Sequence, residues 1–192
     1  TVVPIYAATD DASKPQKLAT IEEVYTQIVK DLTEGIAAMD LSGMKRADRQ
    51  YIDQTVAKGA LARAYMDMEK WSEAYAVAND VITNQAANYP LISASELTTN
   101  GFNNYKTPEF IWAIDITEDI TGSLRSFWGH MDIYTYSYAW AGDGKAMDDK
   151  LYAQIRTNDI RKKQFDEELL PSNKFFSPDR VIGGQRKIST DY

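Results

Sequence analysis

Three consecutive runs of apolar residues at helical spacing, between Thr20 and Ile82, constrain this chain more than any other feature. In the first, Ile21, Val24, Tyr25, Ile28, Leu32, Ile36 and Met39 recur every three or four positions and so share one helix face. Thr20, followed by Glu23, reads as a capping box: the hydroxyl accepts the Glu23 amide and the carboxylate reaches back to the cap N–H. This predicts a helix over 21–39, broken at Gly43. Asp53 or Thr55 opens a second helix with Val56, Ala60, Leu61, Ala64, Tyr65 and Met68 on its apolar face. Ala57, Gly59, Ala60, Ala62 and Ala64 crowd it with small side chains, which allow a neighbouring helix to approach closely. After Glu69 and Lys70 a third helix starts at Trp71 and carries Tyr75, Ala78, Val81 and Ile82. So short a connection makes the second and third helices antiparallel neighbours.

This hairpin is similar to a tetratricopeptide (TPR) unit at Leu61, Ala62, Tyr65, Ala74 and Ala78. A generic helical hairpin has the same outline, and no second copy recurs at a fixed period. Ahead of the helices, Pro4, Pro15 and the run Asp10-Asp11-Ala12-Ser13 predict an irregular start. Downstream, Tyr89-Pro90-Leu91 leads into a polar loop through Asn100-Gly101. Residues Glu109 to Ile116 alternate with a period of two and predict a largely buried strand, with Phe110 and Trp112 in the core. Trp71 is expected to stack inside the hairpin. Met147, Leu151 and Ile155, then Ile160, Phe165 and Leu169, predict two short helices broken near Thr157-Asn158. Asp148-Asp149 suits the N-terminus of the first of these. The tail from Pro171 reads as irregular. The expected architecture is mainly all-α, a TPR-like scaffold with long irregular loops and one or two short strands. It is read as one domain over 1–192: a helical part at 20–84, a strand and aromatic-rich excursion at 85–145, and short helices with a tail at 146–192.

The formal net charge of -7 and the lack of a basic run argue against nucleic acid. Arg180, Arg186 and Lys187 make only a thin cluster. Without cysteine there is no disulfide, thiolate metal site or thiol nucleophile. No apolar run reaches the length of a membrane span. Asp143, Asp148 and Asp149 do not follow the alternating acceptor pattern of a calcium loop, so neither metal nor cofactor is expected. His130, the single histidine, reads as a loop hydrogen bonder.

The stretch from Thr117 to Gly144 is rich in Gly, Ser and aromatic residues and lacks sustained periodicity. Long loops inside compact domains are usually functional or disordered, and aromatic content argues against disorder. Trp128, Tyr134, Tyr136, Tyr138 and Trp140 are the candidate ligand residues here. The three tyrosines alternate, so an extended backbone puts them on one side. Gly142 and Gly144 would leave Tyr138 and Trp140 accessible. Asp132 and Asp143 could accept hydroxyl hydrogens, and Arg125 could donate. Such rings beside polar groups suit sugars, which present apolar C–H patches ringed by hydroxyls. The competing reading is that the rings pack the loop onto the helices.

In order along the chain, several segments resemble the SusD/RagB outer-membrane lipoproteins of Bacteroidetes. They are Val3-Pro4-Ile5, the run from Thr20 to Leu32, the hairpin segments Lys58 to Met66 and Trp71 to Ile82, Tyr89-Pro90-Leu91 with Pro108 to Trp112, Asp159-Ile160-Arg161, and Thr190-Asp191-Tyr192. The resemblance covers nearly the whole chain, with both ends of a full-length member missing, including the lipid-bearing cysteine. It implies a TPR-based scaffold, attached to the outer membrane through a lipid anchor outside this sequence. It also implies a surface-exposed protein that captures an oligosaccharide or polysaccharide and passes it to a SusC-like TonB-dependent transporter, without catalysis. A TPR-type interaction scaffold and a helical glycoside hydrolase or lyase are the alternatives.

Overall fold

The computed structural model describes residues 3–7, 9–43, 45–116 and 124–184. The first part of the excursion at 117–123, the Arg186–Lys187 pair and the 190–192 motif lie outside the described residues. The chain divides into two compact units: Thr1–Ala47 with Tyr51–Ala87, and Asp48–Gln50 with Asn88–Tyr192.

The first unit is built on three helices, α1 (Ile21–Ser42), α2 (Gln54–Asp67) and α3 (Trp71–Gln85). The expected capping box forms: Thr20 Oγ1 accepts the Glu23 N–H at 3.1 Å, and Glu23 Oε2 accepts the Thr20 N–H at 2.7 Å. These bonds satisfy two of the otherwise orphaned N–H groups of the first turn. They also hold the Glu23 carboxyl below its ordinary pKa, the Thr20 backbone bond being the main cause. Gly43 closes α1 in the left-handed region at φ 60°. Asp53, not Thr55, caps α2 by accepting from Val56 N at 3.0 Å. α2 packs against both α1 and α3. Thr55, Ala57, Leu61, Ala62 and Ala64 of α2 and Ala74 of α3 are buried, so small side chains form the seam as expected.

Polar bonds tie the three helices. Tyr25 Oη donates to Asp67 Oδ2 at 3.1 Å, and Gln54 Nε2 donates to Asp40 Oδ1 at 3.1 Å. Lys58 Nζ meets Asp80 Oδ2 at 2.6 Å and lowers the Asp80 pKa through that bond. Trp71 departs from expectation: it is 62% exposed. As the first residue of α3 it precedes the turn that packs on α2, and Ala74, one turn later, fills the seam instead.

Among the described residues, the second unit has little regular structure. It holds α4 (Glu96–Thr99), α5 (Phe127–Met131), α6 (Asp149–Gln154) and a 3-10 turn at Ile160–Gln164. The two short helices expected after Gly144 are present as α6 and the 3-10 turn. Asp148 caps α6 by accepting Leu151 N at 2.9 Å. Gln164 Nε2 donates to Leu97 O at 3.0 Å, fastening the 3-10 turn to α4. Ile116 and Trp128 are the buried centre, with Phe127 and Phe175 packed on them. The three rings meet edge to face, Phe127 and Phe175 at 4.9 Å and Trp128 and Phe175 at 6.0 Å.

The predicted strand at 109–116 does not form. Among the described residues, sheet-type pairing is limited to isolated bridges, including Pro4 with Leu18 and Thr135 with Gly184. Trp112 and Ile114 are about half exposed, while Ala113 and Ile116 are buried. A strand needs a partner ladder for its backbone groups. Here Arg49 holds the start of the stretch with its side chain, and its backbone O accepts Ala113 N at 3.4 Å. Arg49 Nη1 donates to the carbonyls of Thr107, Pro108 and Phe110 at 2.5, 2.9 and 2.6 Å. The Arg49 guanidinium also sits 5.5 Å from the Tyr89 ring centroid. Trp112 is oriented by its indole N–H, which donates to Gln50 O at 3.1 Å, rather than by burial.

Candidate functional site

The aromatic excursion is anchored by a short helix that hydrophobic periodicity alone did not reveal. Ser126 caps α5 by accepting Gly129 N at 3.1 Å. Gly129 is required there, because a Cβ would lie 2.5 Å from Leu124 O. α5 delivers Trp128 into the core, where it is fully buried. Trp128 therefore offers no open ring face, and the expectation that it contacts ligand is corrected.

After α5 the chain turns around Asp132. This carboxylate is completely buried and accepts hydrogen bonds from Tyr134 N at 3.1 Å, Ser177 N at 3.2 Å and the Thr135 hydroxyl. Its backbone carbonyl accepts the Ser137 hydroxyl. Asp132 is thus a structural hub and not the open hydroxyl acceptor expected from sequence. Its partners pin every second residue of the following segment inward. Thr135, Ser137 and Ala139 are buried, while Tyr136, Tyr138 and Trp140 are 66%, 39% and 44% exposed. Exposure alternates over 135–140, but the backbone there is bends and turns and not the extended form expected, and Tyr134 does not join the exposed set.

The three exposed rings make a strip along the chain at alternate positions, in which Tyr136 and Trp140 meet. Tyr136 and Trp140 lie 5.8 Å apart at 59°. Tyr138 stacks on His130 at 5.0 Å and 21°, so the histidine props a ring of the strip. His130, expected as a loop hydrogen bonder, makes a ring contact; the signal lies in its position on the α5 turn preceding the tyrosines. The backbone is braced as well: Tyr138 N donates to Gly129 O at 2.8 Å, Asp143 N donates to Tyr138 O at 2.8 Å, and Ser137 Oγ accepts Trp140 N at 2.9 Å. Gly142 makes the turn after Trp140 at φ +94°, with open space around it. Gly144 instead packs on the Leu170 side chain.

Of the remaining candidates, Tyr134 is half-buried and its carbonyl accepts Gly183 N at 2.8 Å. Asp143 is exposed and lies 3.5 Å from Lys145 Nζ. Arg125 is exposed just ahead of the α5 cap. The structure therefore leaves Tyr136, Tyr138 and Trp140 exposed along one segment, with Tyr136 and Trp140 brought together and Asp143 following them in the chain, and withdraws Trp128 and Asp132. No group of three or more metal-ligating side chains occurs among the described residues. No helix among them is long and apolar enough to cross a membrane.

No family model and no curated protein matches the chain. Two solved structures do resemble it. One is a SusD-like carbohydrate-binding protein from Bacteroides vulgatus, with a TM-score of 0.67 and 23% identity over 85% of this chain and 33% of that one. The other is a SusD superfamily protein from Bacteroides thetaiotaomicron, with a TM-score of 0.64 and 20% identity over 98% of this chain and 39% of that one. The chain thus spans between a third and two fifths of the length of these two proteins. The mainly helical, TPR-like architecture expected from the sequence is borne out, and this chain carries the fold of the SusD-like proteins.

Proposed function

We propose that this chain is part of a surface-exposed, lipid-anchored outer-membrane protein of the SusD type. It binds an oligosaccharide or polysaccharide and hands it to a SusC-like TonB-dependent transporter, with no catalysis of its own. The observation that carries the reading is the strip of Tyr136, Tyr138 and Trp140, held outward by buried neighbours. Rigid rings offer a sugar's C–H face a large contact area at little conformational cost. Tyrosine hydroxyls and Asp143 supply polar partners beside them. Asp132 is buried and already bonded, which weakens a hydrolase reading that needs two open carboxylates across a cleft.

One feature favours the protein-interaction alternative: Trp71, Tyr75 and Ile82 lie exposed along α3 at 62%, 72% and 68%. Both readings are tested with the full-length protein. A glycan array followed by calorimetry with Trp140→Ala and Tyr136→Ala should show binding that these variants weaken. Unchanged affinity in both variants would remove the strip as the site. Capture of a transporter only in the presence of glycan would favour handover over a scaffold role.

A further inference from the structure

Asn103 lies in the second unit against a recess of about 400 Å³ that is separate in sequence from the ring strip. The side chain is buried, with the residue only 4% exposed. Its Nδ2 donates to Phe176 O at 2.8 Å, while its Oδ1 accepts from none of the described residues. A buried acceptor without a donor is costly and rare in folded proteins, and so points to a partner that arrives from outside the chain. Asn104 complements it. Its Oδ1 is used by Lys106 N at 2.9 Å, which leaves its amide N–H groups to donate. Thr99 and Thr107 add hydroxyl oxygens that can accept, their hydrogens going to Ser95 O and Asn104 O, Asn100 adds a third amide, and Lys106 is the one charge among the lining residues.

The recess is preformed. Phe102 N donates to Lys174 O at 2.8 Å, and the Thr107 N–H and hydroxyl both donate to Asn104 O, at 3.0 and 2.8 Å. Gly101, at φ +62°, lets the chain pass so close to Phe176 that a Cβ would lie 2.6 Å from the ring. A sugar hydroxyl both donates and accepts, so one such group can satisfy Asn103 Oδ1 while receiving from Asn104 Nδ2. We infer that this recess is a second carbohydrate subsite, holding one sugar residue through its hydroxyls and favouring a uronate over the neutral sugar at the Lys106 side. This rests on the carbohydrate-binding reading and deepens it.

The test is an NMR titration of the whole chain with methyl glucoside, methyl galactoside, glucuronate and galacturonate. It follows the Asn103 and Asn104 side-chain amides and the Trp140 indole N–H. The expected result is movement of the Asn103 and Asn104 amides that persists in Trp140→Ala. Uronates should bind about two- to fivefold tighter than their neutral counterparts at low salt, a preference lost in Lys106→Ala. Amides that stay still with all four probes while Trp140 responds would overturn the subsite and leave the strip intact. Silence at both places would overturn the two readings together. Equal affinity for neutral and acidic sugars would overturn the uronate preference. Because Asn103→Ala can disturb folding, the exposed rim variant Thr99→Val serves as the second probe and should weaken binding without lowering Tm.

Discussion

The buried carboxylate of Asp132 accepts the backbone N–H of Ser177 at 3.2 Å, joining the root of the aromatic strip to a segment 45 residues away. The next residue back, Phe176, gives its carbonyl to Asn103. The ring strip and the amide-lined recess are therefore braced by the two sides of one peptide unit, whose carbonyl accepts from Asn103 and whose N–H donates to Asp132. Asp132→Ala leaves the N–H groups of Tyr134 and Ser177 without this acceptor. The expected loss is about 3 kcal/mol in stability, read by chemical denaturation, since a buried donor left unpaired costs about 1–3 kcal/mol. A loss below about 0.5 kcal/mol would show that Asp132 does not organise the segment.

Ring position divides the aromatic variants into two classes. Tyr136→Ala and Trp140→Ala remove exposed side chains, so stability should change by no more than about 0.5 kcal/mol while glycan affinity falls by roughly five- to thirtyfold. Trp128→Ala empties the core and should cost about 3–5 kcal/mol in stability. A thermal melt beside a binding isotherm separates the classes, and equal melting losses for Trp140→Ala and Trp128→Ala would contradict the assignment.

Gly101 combines a left-handed φ of +62° with a close approach to Phe176 and Lys174 O. Gly101→Ala must strain the backbone and displace a ring, at about 1–3 kcal/mol. Gly142→Ala is the control: it has open space and retains only the φ penalty. The first variant should melt several degrees below the second.

Acid should destabilise the protein through a few paired carboxylates. Arg161 bonds hold the Asp159 carboxyl down to about 2 from an ordinary 3.8. Lys58 lowers Asp80 and the Thr20 N–H lowers Glu23, both below their ordinary values. Each group binds protons more readily when unfolded, so its contribution is complete above the ordinary carboxylate range and is lost as pH falls through the folded value. Tm should stay level from about pH 7 to 5 and fall from roughly pH 4 toward 2. The combined variant Asp159→Asn with Asp80→Asn should start lower at pH 7 and show a shallower fall. An identical slope in the variant would exclude these pairs as its source.

Local chemistry made much of this legible in sequence. The Thr20–Glu23 box, the Asp148 cap, the α2–α3 hairpin and the outward alternation of Tyr136 and Tyr138 depend on residues within a few positions of each other. Readings that required a distant partner went astray. Trp112 looked like a core strand residue because alternation cannot say whether a second strand is present; Arg49, some sixty residues earlier, holds that backbone instead. Asp132 looked like an open acceptor until Ser177 N reached it.

Sequence alone determined where the helices of the first unit begin and that α1 breaks at Gly43, because caps and apolar spacing act over one or two turns. Tertiary structure alone decided which aromatic rings face solvent and which amide is buried with an unused oxygen. Those outcomes depend on bonds from Asp132 to Ser177 and from Asn103 to Phe176, and no short-range pattern records which distant groups the folded chain brings within hydrogen-bonding distance.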